Sequence, residues 1–301
     1  MIKLATKTLE AVDVKIVENN DNSHRIHLGA SIIGDSCARK LWYTFRWTQK
    51  GEFSARVLRL FDRGFLEEPR IVKWLQEAGV QVWEVDNKGN QYRISDCGGH
   101  FGGSMDGVGL GIPDLPEGVY ALLEFKTHND KSFKDLEKKG VKQSKPQHYV
   151  QMQIYMRKGQ LNHALYIAVN KNTDALYMEL ITLDENYADT FLARANRIIL
   201  STQAPPRLNN NPTWYECKWC DFHKICHHGA PAEVNCRTCR YCSPADKKQW
   251  ICKLGNTVNE YLHTGCSNHR YFPDMIGGYD QMATERSTRI RLTILESSPL
   301  L

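Results

Sequence analysis

Asp106 in GSMDG, followed by Glu124 and Lys126 in LLEFKT, are the residues whose types and spacing could do chemistry together. Glu124 and Lys126 are two residues apart, so on a β-strand they project to the same face, and Asp106 can join them from a neighbouring strand. Two carboxylates supply hard oxygen ligands for Mg²⁺, which usually keeps several waters and binds through one or two carboxylates plus substrate phosphates. A metal held in this way can make a water nucleophilic and neutralise charge on a phosphate. Lys126 would orient that water and offset negative charge developing in the transition state. Alone, E-x-K on an exposed strand also reads as a solvated charged face, so the neighbouring motifs matter. Upstream, RLFDRGFLEE contains G-x-x-x-E from Gly64 to Glu68, with Glu67 as the alternative. Downstream, HYVQMQIYM contains Q-x-x-x-Y from Gln151 to Tyr155, a spacing that puts both on one helical face. That pair fits an ordinary half-buried helix face as well.

The cysteines suggest a second kind of chemistry. Of ten, only Cys37 and Cys97 precede residue 217, whereas Cys217, Cys220, Cys226, Cys236, Cys239, Cys242, Cys252 and Cys266 crowd into the following stretch. YECKWCDFHKICHHG gives C-x2-C-x5-C at Cys217, Cys220 and Cys226, three thiolates able to share one centre that needs a fourth ligand from elsewhere. The spacing suits zinc and an iron–sulfur cluster equally, and buried unligated thiols are the plain alternative. Past Ala230 the pattern restarts. Cys236 and Cys239 form a C-x2-C knuckle, and Cys252 and Cys266 complete a zinc-ribbon spacing. Cys242, His263 and His269 are spare potential ligands, His269 competing most directly with Cys266. A module this short would draw folding free energy from a structural zinc ion.

Taken in order, G-x-x-x-E, Asp106, E-x-K and Q-x-x-x-Y make the sequence resemble the RecB-like branch of the PD-(D/E)XK nucleases across residues 28–230. The resemblance implies an α/β restriction-endonuclease-like core with a central mixed sheet flanked by helices. In that core Asp106, Glu124 and the backbone carbonyl of Phe125 bind metal and Lys126 is catalytic. Glu68 reaches the metals, and Gln151 and Tyr155 help hold the DNA strand. The context of Cys37, SCARKLWY, resembles the N-terminal ligand segment of the iron–sulfur subfamily. That group includes AddB-type helicase-nucleases, CRISPR-adaptation nucleases and related phage-encoded exonucleases, and it takes one cysteine from before the core and three from after it. Cys37, Cys217, Cys220 and Cys226 would then hold a [4Fe–4S] cluster that clasps the two ends of the fold. The implied activity is Mg²⁺- or Mn²⁺-dependent hydrolysis of DNA by an exonuclease serving phage or bacterial recombination or replication. DNA is the expected partner, with other recombination or replication proteins as further candidates. The rivals are a structure-specific endonuclease and a non-catalytic DNA-binding or assembly module on a nuclease fold. Intact Asp106, Glu124 and Lys126 favour an enzyme.

These residues must be positioned by the rest of a chain whose 301 residues, 42% hydrophobic and 24% charged, have an ordinary globular composition. The net charge of +5 permits a polyanionic partner without demonstrating one. No apolar run approaches the ~18 residues of a membrane span, and the N-terminal residues lack the apolar core of a signal peptide. The expectation is a cytoplasmic protein, in the bacterial host if phage-encoded. There thiols stay reduced and read first as metal ligands. Residues 53–78 carry helical periodicity. VQVWEV, QYRIS, GGSMDGVGL and VYALLEFKT read as an antiparallel meander. A helix is expected at 145–158, then strands in HALYIAVNK and DALYMELITL, then a helix at 184–201. Turn-rich residues 204–212 mark a junction. The expected division is a nuclease domain at 1–230 closed by the iron–sulfur cluster, a zinc-binding module at 231–280 and a tail at 281–301. Rings in KLWYTFRW could stack on bases or fill the core. Six lysines from Lys131 to Lys145 could track a phosphate backbone or decorate a solvated loop.

Overall fold

The computed structural model describes residues 4–275, so the tail expected at 281–301 lies outside the described residues. Helix α1 (Thr6–Glu18) precedes a short strand β1 (Leu28–Gly29), and then come α2 (Ala38–Phe45) and α3 (Ala55–Glu77). α3 matches the periodic run at 53–78 and continues through Pro69. Strands β2 (Gln81–Trp83), β3 (Arg93–Asp96), β4 (Phe101–Ser104), β5 (Gly107–Leu110) and β6 (Tyr120–His128) come next. Two helices, α4 (Asp130–Ser144) and α5 (Pro146–Gly159), lead to β7 (His163–Asn170), β8 (Leu176–Thr182) and α6 (Glu185–Leu200). Short elements finish the described chain: α7 (Tyr215–Lys218), α8 (His223–His228), β9 (Cys242–Pro244), β10 (Trp250–Cys252) and α9 (Val258–Tyr261).

The architecture is mixed α/β, with mixed sheets flanked by helices. The main sheet has the order β2-β5-β6-β7-β8. Its neighbours are antiparallel except β6 and β7, which run parallel. Parallel neighbours require a crossover, and α4 and α5 provide it. α4 occupies the lysine-rich stretch that reads as a loop from sequence, because it buries little more than Phe133, Leu136 and Val141. Asn129 caps it by accepting from the Ser132 N–H at 2.8 Å, and Lys134–Asp130 and Lys139–Asp135 pairs brace it one turn apart.

The expected antiparallel meander is divided between two sheets. β3 and β4 join β1 in a three-stranded sheet of order β1-β4-β3, while β2, β5 and β6 belong to the main sheet. The chain changes sheets at Met105 and Asp106, inside the run GGSMDGVGL that looks continuous in sequence. Local alternation cannot reveal such a switch, because each half keeps its own strand pattern.

One core cluster runs from Leu28, Trp42 and Phe45 through α5 and α6 to Cys236, Trp250 and Phe272. A second, including Ile71, Leu75, Leu123, Phe125 and Ile167, lies between α3 and the main sheet. Trp42, Tyr43, Phe45 and Trp47 are at most 1% exposed, so the rings of KLWYTFRW are core and the base-stacking alternative falls away. Buried Arg237 places its guanidinium 3.6 Å from the Trp47 ring centroid and donates to the carbonyls of Phe45 and Ile26. Residues beyond 230 therefore pack into the same core as the N-terminal helices. No described helix is long and apolar enough to cross a membrane.

Candidate active site

β6 is buried on both faces, as a central strand with a parallel neighbour should be. Its odd residues Ala121, Leu123 and Phe125 enter the core beneath α3. Its even residues therefore face the α5 side, and there the strand carries Glu124, Lys126 and His128. Asp106 stands just before β5, whose Gly107 pairs with Leu123 of β6. Its Oδ2 accepts from the Phe125 N–H at 2.8 Å, which locks the carboxylate beside β6.

Lys126 draws the oxygens together. Its Nζ donates to Glu124 Oε1 and to the Phe125 carbonyl at 2.9 Å, and it lies 3.7 Å from Asp106 Oδ2. Those are the three groups expected to bind a metal, and the ammonium takes the point on which they converge. Glu124 is fully buried and, among the described residues, its Oε2 has no hydrogen-bond partner. An unpartnered carboxylate oxygen in the interior is costly unless a cation compensates it, so the donor set fits a hard divalent ion. Among the described residues no group of three or more His, Cys, Asp or Glu side chains is arranged to hold a metal ion. Burial pushes the Glu124 carboxyl up to about 8, with Lys126 opposing and Asp106 adding to the shift. Burial works against the Lys126 charge, yet the surrounding carboxylates outweigh it and hold the ammonium protonated.

Glu68 and Glu67 on α3 separate cleanly. Glu67 is buried but taken by Arg70, whose guanidinium contacts both carboxylate oxygens at 2.9 Å. The Glu68 carboxyl is pushed up to about 7, first by burial and then by the charge of Asp106, while Lys126 pulls it back. It is Glu68, therefore, that feels the charges of Asp106 and Lys126. Gln151 and Tyr155 are both buried on α5. Burial raises the Tyr155 pKa most, and the charges of Glu124 and Asp106 add to it while Arg25 and Gln151 oppose it. Tyr155 packs directly over Gly103 of β4, where a Cβ would collide with its hydroxyl.

Sequence reading missed three residues beside this cluster. The Tyr166 hydroxyl lies 2.8 Å from His128 Nε2 and 3.0 Å from His148 Nδ1. Tyr166 is the β7 partner of Glu124 in the strand register, and His148 sits one turn before Gln151 on α5. The signal was present in the alternation E-x-K-x-H of Glu124, Lys126 and His128, which continues one face of the strand.

No family model matches the sequence, and no curated protein matches it significantly. Among solved structures the chain is similar to SSO0001, with a TM-score of 0.43 and 19% identity over 73% of this chain and 96% of that one. It is also similar to LHK-Exo, an alkaline exonuclease from Laribacter hongkongensis, with a TM-score of 0.40 and 18% identity over 63% of this chain and 90% of that one. The complex of LHK-Exo with dAMP gives the same values. Overlap of that extent carries no chemistry across to this chain.

The two cysteine sets each surround a cavity. Cys37, Cys217, Cys220 and Cys226 line one of about 160 Å³, together with Tyr43 and Phe222. Cys236, Cys239, Cys242, Cys252, Cys266 and His269 line another of about 20 Å³. Cys37 also caps α2, its Sγ accepting from the Lys40 N–H at 3.4 Å. Cys242 and Cys252 face each other across the β9–β10 pair.

Proposed function

We propose that this protein is a Mg²⁺- or Mn²⁺-dependent DNA exonuclease. The observation that carries the reading is the convergence of Asp106 Oδ2, Glu124 Oε1 and the Phe125 carbonyl on the Lys126 ammonium, beside a buried Glu124 oxygen with no partner. In this reading those three groups and Glu68 hold the metal. The ion would supply Lewis acidity, activating water and neutralising charge on the phosphate. Lys126, released from the carboxylates, donates a proton of its ammonium in a hydrogen bond to the attacking water and stabilises charge on the phosphoryl oxygens. Gln151 and Tyr155 hold the strand from α5. Digestion of end-labelled single-stranded, blunt duplex and closed circular DNA, with metal added or chelated, tests the proposal. Metal-dependent release of nucleotides from ends, with circles spared, is expected. Cutting of closed circles would favour the structure-specific endonuclease, and no cutting at all the non-catalytic DNA-binding module.

In the same reading the two cysteine sets would hold two different metal centres. Zinc lies about 2.3 Å from each of four thiolates, so it needs only a small gap, and the 20 Å³ cavity suits it. The 160 Å³ cavity lined by Cys37, Cys217, Cys220 and Cys226 has room for several atoms, which favours the [4Fe–4S] assignment there. In the smaller site His269 Nε2 lies 3.1 Å from Thr238 Oγ1. That engagement favours Cys266, with Cys236, Cys239 and Cys252, as the zinc ligands and leaves Cys242 spare. Assay of iron, sulfide and zinc per chain tests both assignments.

A further inference from the structure

Buried His128 and Tyr166 and half-buried His148 form a chain beside Lys126 that the catalytic assignment leaves unused. Its hydrogen bonds run from Ser132 Oγ to His128 Nδ1 at 3.4 Å, from His128 Nε2 to the Tyr166 hydroxyl at 2.8 Å, and from that hydroxyl to His148 Nδ1 at 3.0 Å. The two imidazoles stack with centroids 5.8 Å apart. A phenol carries a single hydrogen, so it can donate to one ring and must accept from the other.

The start of α4 sets the direction. Ser132 lies in the first turn of that helix, where the positive end of the dipole favours a lone pair on the facing atom. His128 Nδ1 is that atom, and among the described residues it is the partner found for the Ser132 hydroxyl. With Nδ1 bare, the His128 proton is on Nε2 and is donated to Tyr166. Tyr166 then donates its own to His148 Nδ1, which leaves the His148 proton on Nε2. Among the described residues His148 Nε2 has no partner, and it is not among the fully buried polar atoms that lack one. Burial, the Lys126 charge and His128 together push the His148 pKa down to about 3, so the ring stays neutral.

His148 shares a face of α5 with Gln151 and Tyr155, one and two turns further on. The charges of Asp106 and Glu124 act on Tyr155, and that of Lys126 acts on His148. Resting on the nuclease reading, we propose that His148 is a third strand-holding residue of α5. It donates from Nε2 to a non-bridging phosphate oxygen of the DNA on the Lys126 side, and Tyr166 and His128 are positioning residues that fix its tautomer. A neutral donor there holds the strand without adding a second cation beside the ammonium.

The test uses the full chain and the DNA that the wild type cuts. His148→Ala should raise KM about five- to tenfold, the worth of one net hydrogen bond, with kcat little changed. His148→Gln, which restores a neutral N–H donor, should recover most of the loss. Tyr166→Phe should raise KM by a smaller factor while the protein still melts cooperatively. Nitrogen-15 NMR of histidine-labelled protein at neutral pH should find His128 and His148 both protonated on Nε2 alone, and Tyr166→Phe should remove that preference. An unchanged KM in His148→Ala, a loss that glutamine does not recover, or a His148 protonated on Nδ1 overturns the proposal while cleavage by the wild type leaves the nuclease reading intact. A wild type that cuts no DNA with either metal overturns both.

Discussion

Lys126 occupies the point where three oxygens converge, so its removal should have two opposite effects. Lys126→Ala frees those oxygens, and Mn²⁺ should bind at least as tightly as to the wild type. Cleavage should fall on the order of 10²–10³-fold, the cost of losing one donor to a developing charge. Calorimetry and a digestion assay on the same preparation read the two effects, and wild-type-like turnover would sink the role given to Lys126. The acidic residues add a pH dependence with a definite sign. Glu68 and Glu124 hold protons up to about 7 and about 8, so a metal must displace them. Mn²⁺ affinity should therefore rise between pH 6 and pH 8, with protons released on binding. Calorimetry in buffers of different ionisation enthalpy counts those protons. Affinity independent of pH would remove these two carboxylates from the ligand set.

At the scale of elements, the site depends on how closely α5 lies against both sheets. Gly103 of β4 gives Tyr155 its place, since any Cβ there meets the phenol. Gly103→Ala should push the helix outward, lowering stability by about 1–3 kcal/mol and weakening DNA binding through Gln151 and Tyr155. Urea unfolding and fluorescence anisotropy with a labelled oligonucleotide measure the two consequences, and Gly102→Ala is a poor control because it clashes with the Ile94 carbonyl. Elements beyond residue 230 behave as part of this same body. Arg237 and Arg46 are buried against Trp42, Phe45, Trp47 and Trp250, and they donate to carbonyls on both sides of the expected boundary. Cys252→Ser should therefore lower the melting temperature of the whole chain in one transition. A separate early transition confined to the C-terminal residues would instead support an independent module.

For the molecule as a whole, the proposed clasp joins residues from opposite ends of the α/β core. Cys37 precedes α2, while Cys217, Cys220 and Cys226 lie beyond α6, and all four line one cavity. Anaerobically purified protein should be brown and contain iron and sulfide in near-equal amounts. Cys37→Ala and Cys226→Ala should bleach it equally, since either change opens the same long-range link. Full iron content in Cys37→Ala would move the fourth ligand elsewhere. Acid should destabilise the fold through its buried histidines. Burial lowers His27 and His128 to about 4 and His148 to about 3, against an ordinary value of 6.5. The unfolded chain binds protons that the folded chain refuses, so this stability is complete above pH 6.5 and is lost as pH falls toward 4 and 3. Melting temperature should fall through that window, with uptake of up to about three protons on unfolding.

Sequence alone determined the relations that spacing sets within one element. Glu124 and Lys126 share a strand face because side chains alternate, Gln151 and Tyr155 share a helix face because four residues nearly complete a turn, and residues 53–78 were legible as a helix from their apolar period. The expectation for Glu68 over Glu67 came from the family resemblance, and in the structure it is Glu68 whose charge couples to the cluster while Glu67 pairs with Arg70. The tertiary structure decided everything that depends on contacts between distant segments. The change of sheet at Asp106 and the lysine-rich α4 each conflict with their local pattern, because strand pairing and core packing override it, and the burial of Trp42 and Trp47 decides between two readings the sequence left open. The chain from His128 through Tyr166 to His148 is the clearest case. Its members come from β6, β7 and α5, and only the parallel pairing of two strands beneath one helix puts a phenol between two imidazoles.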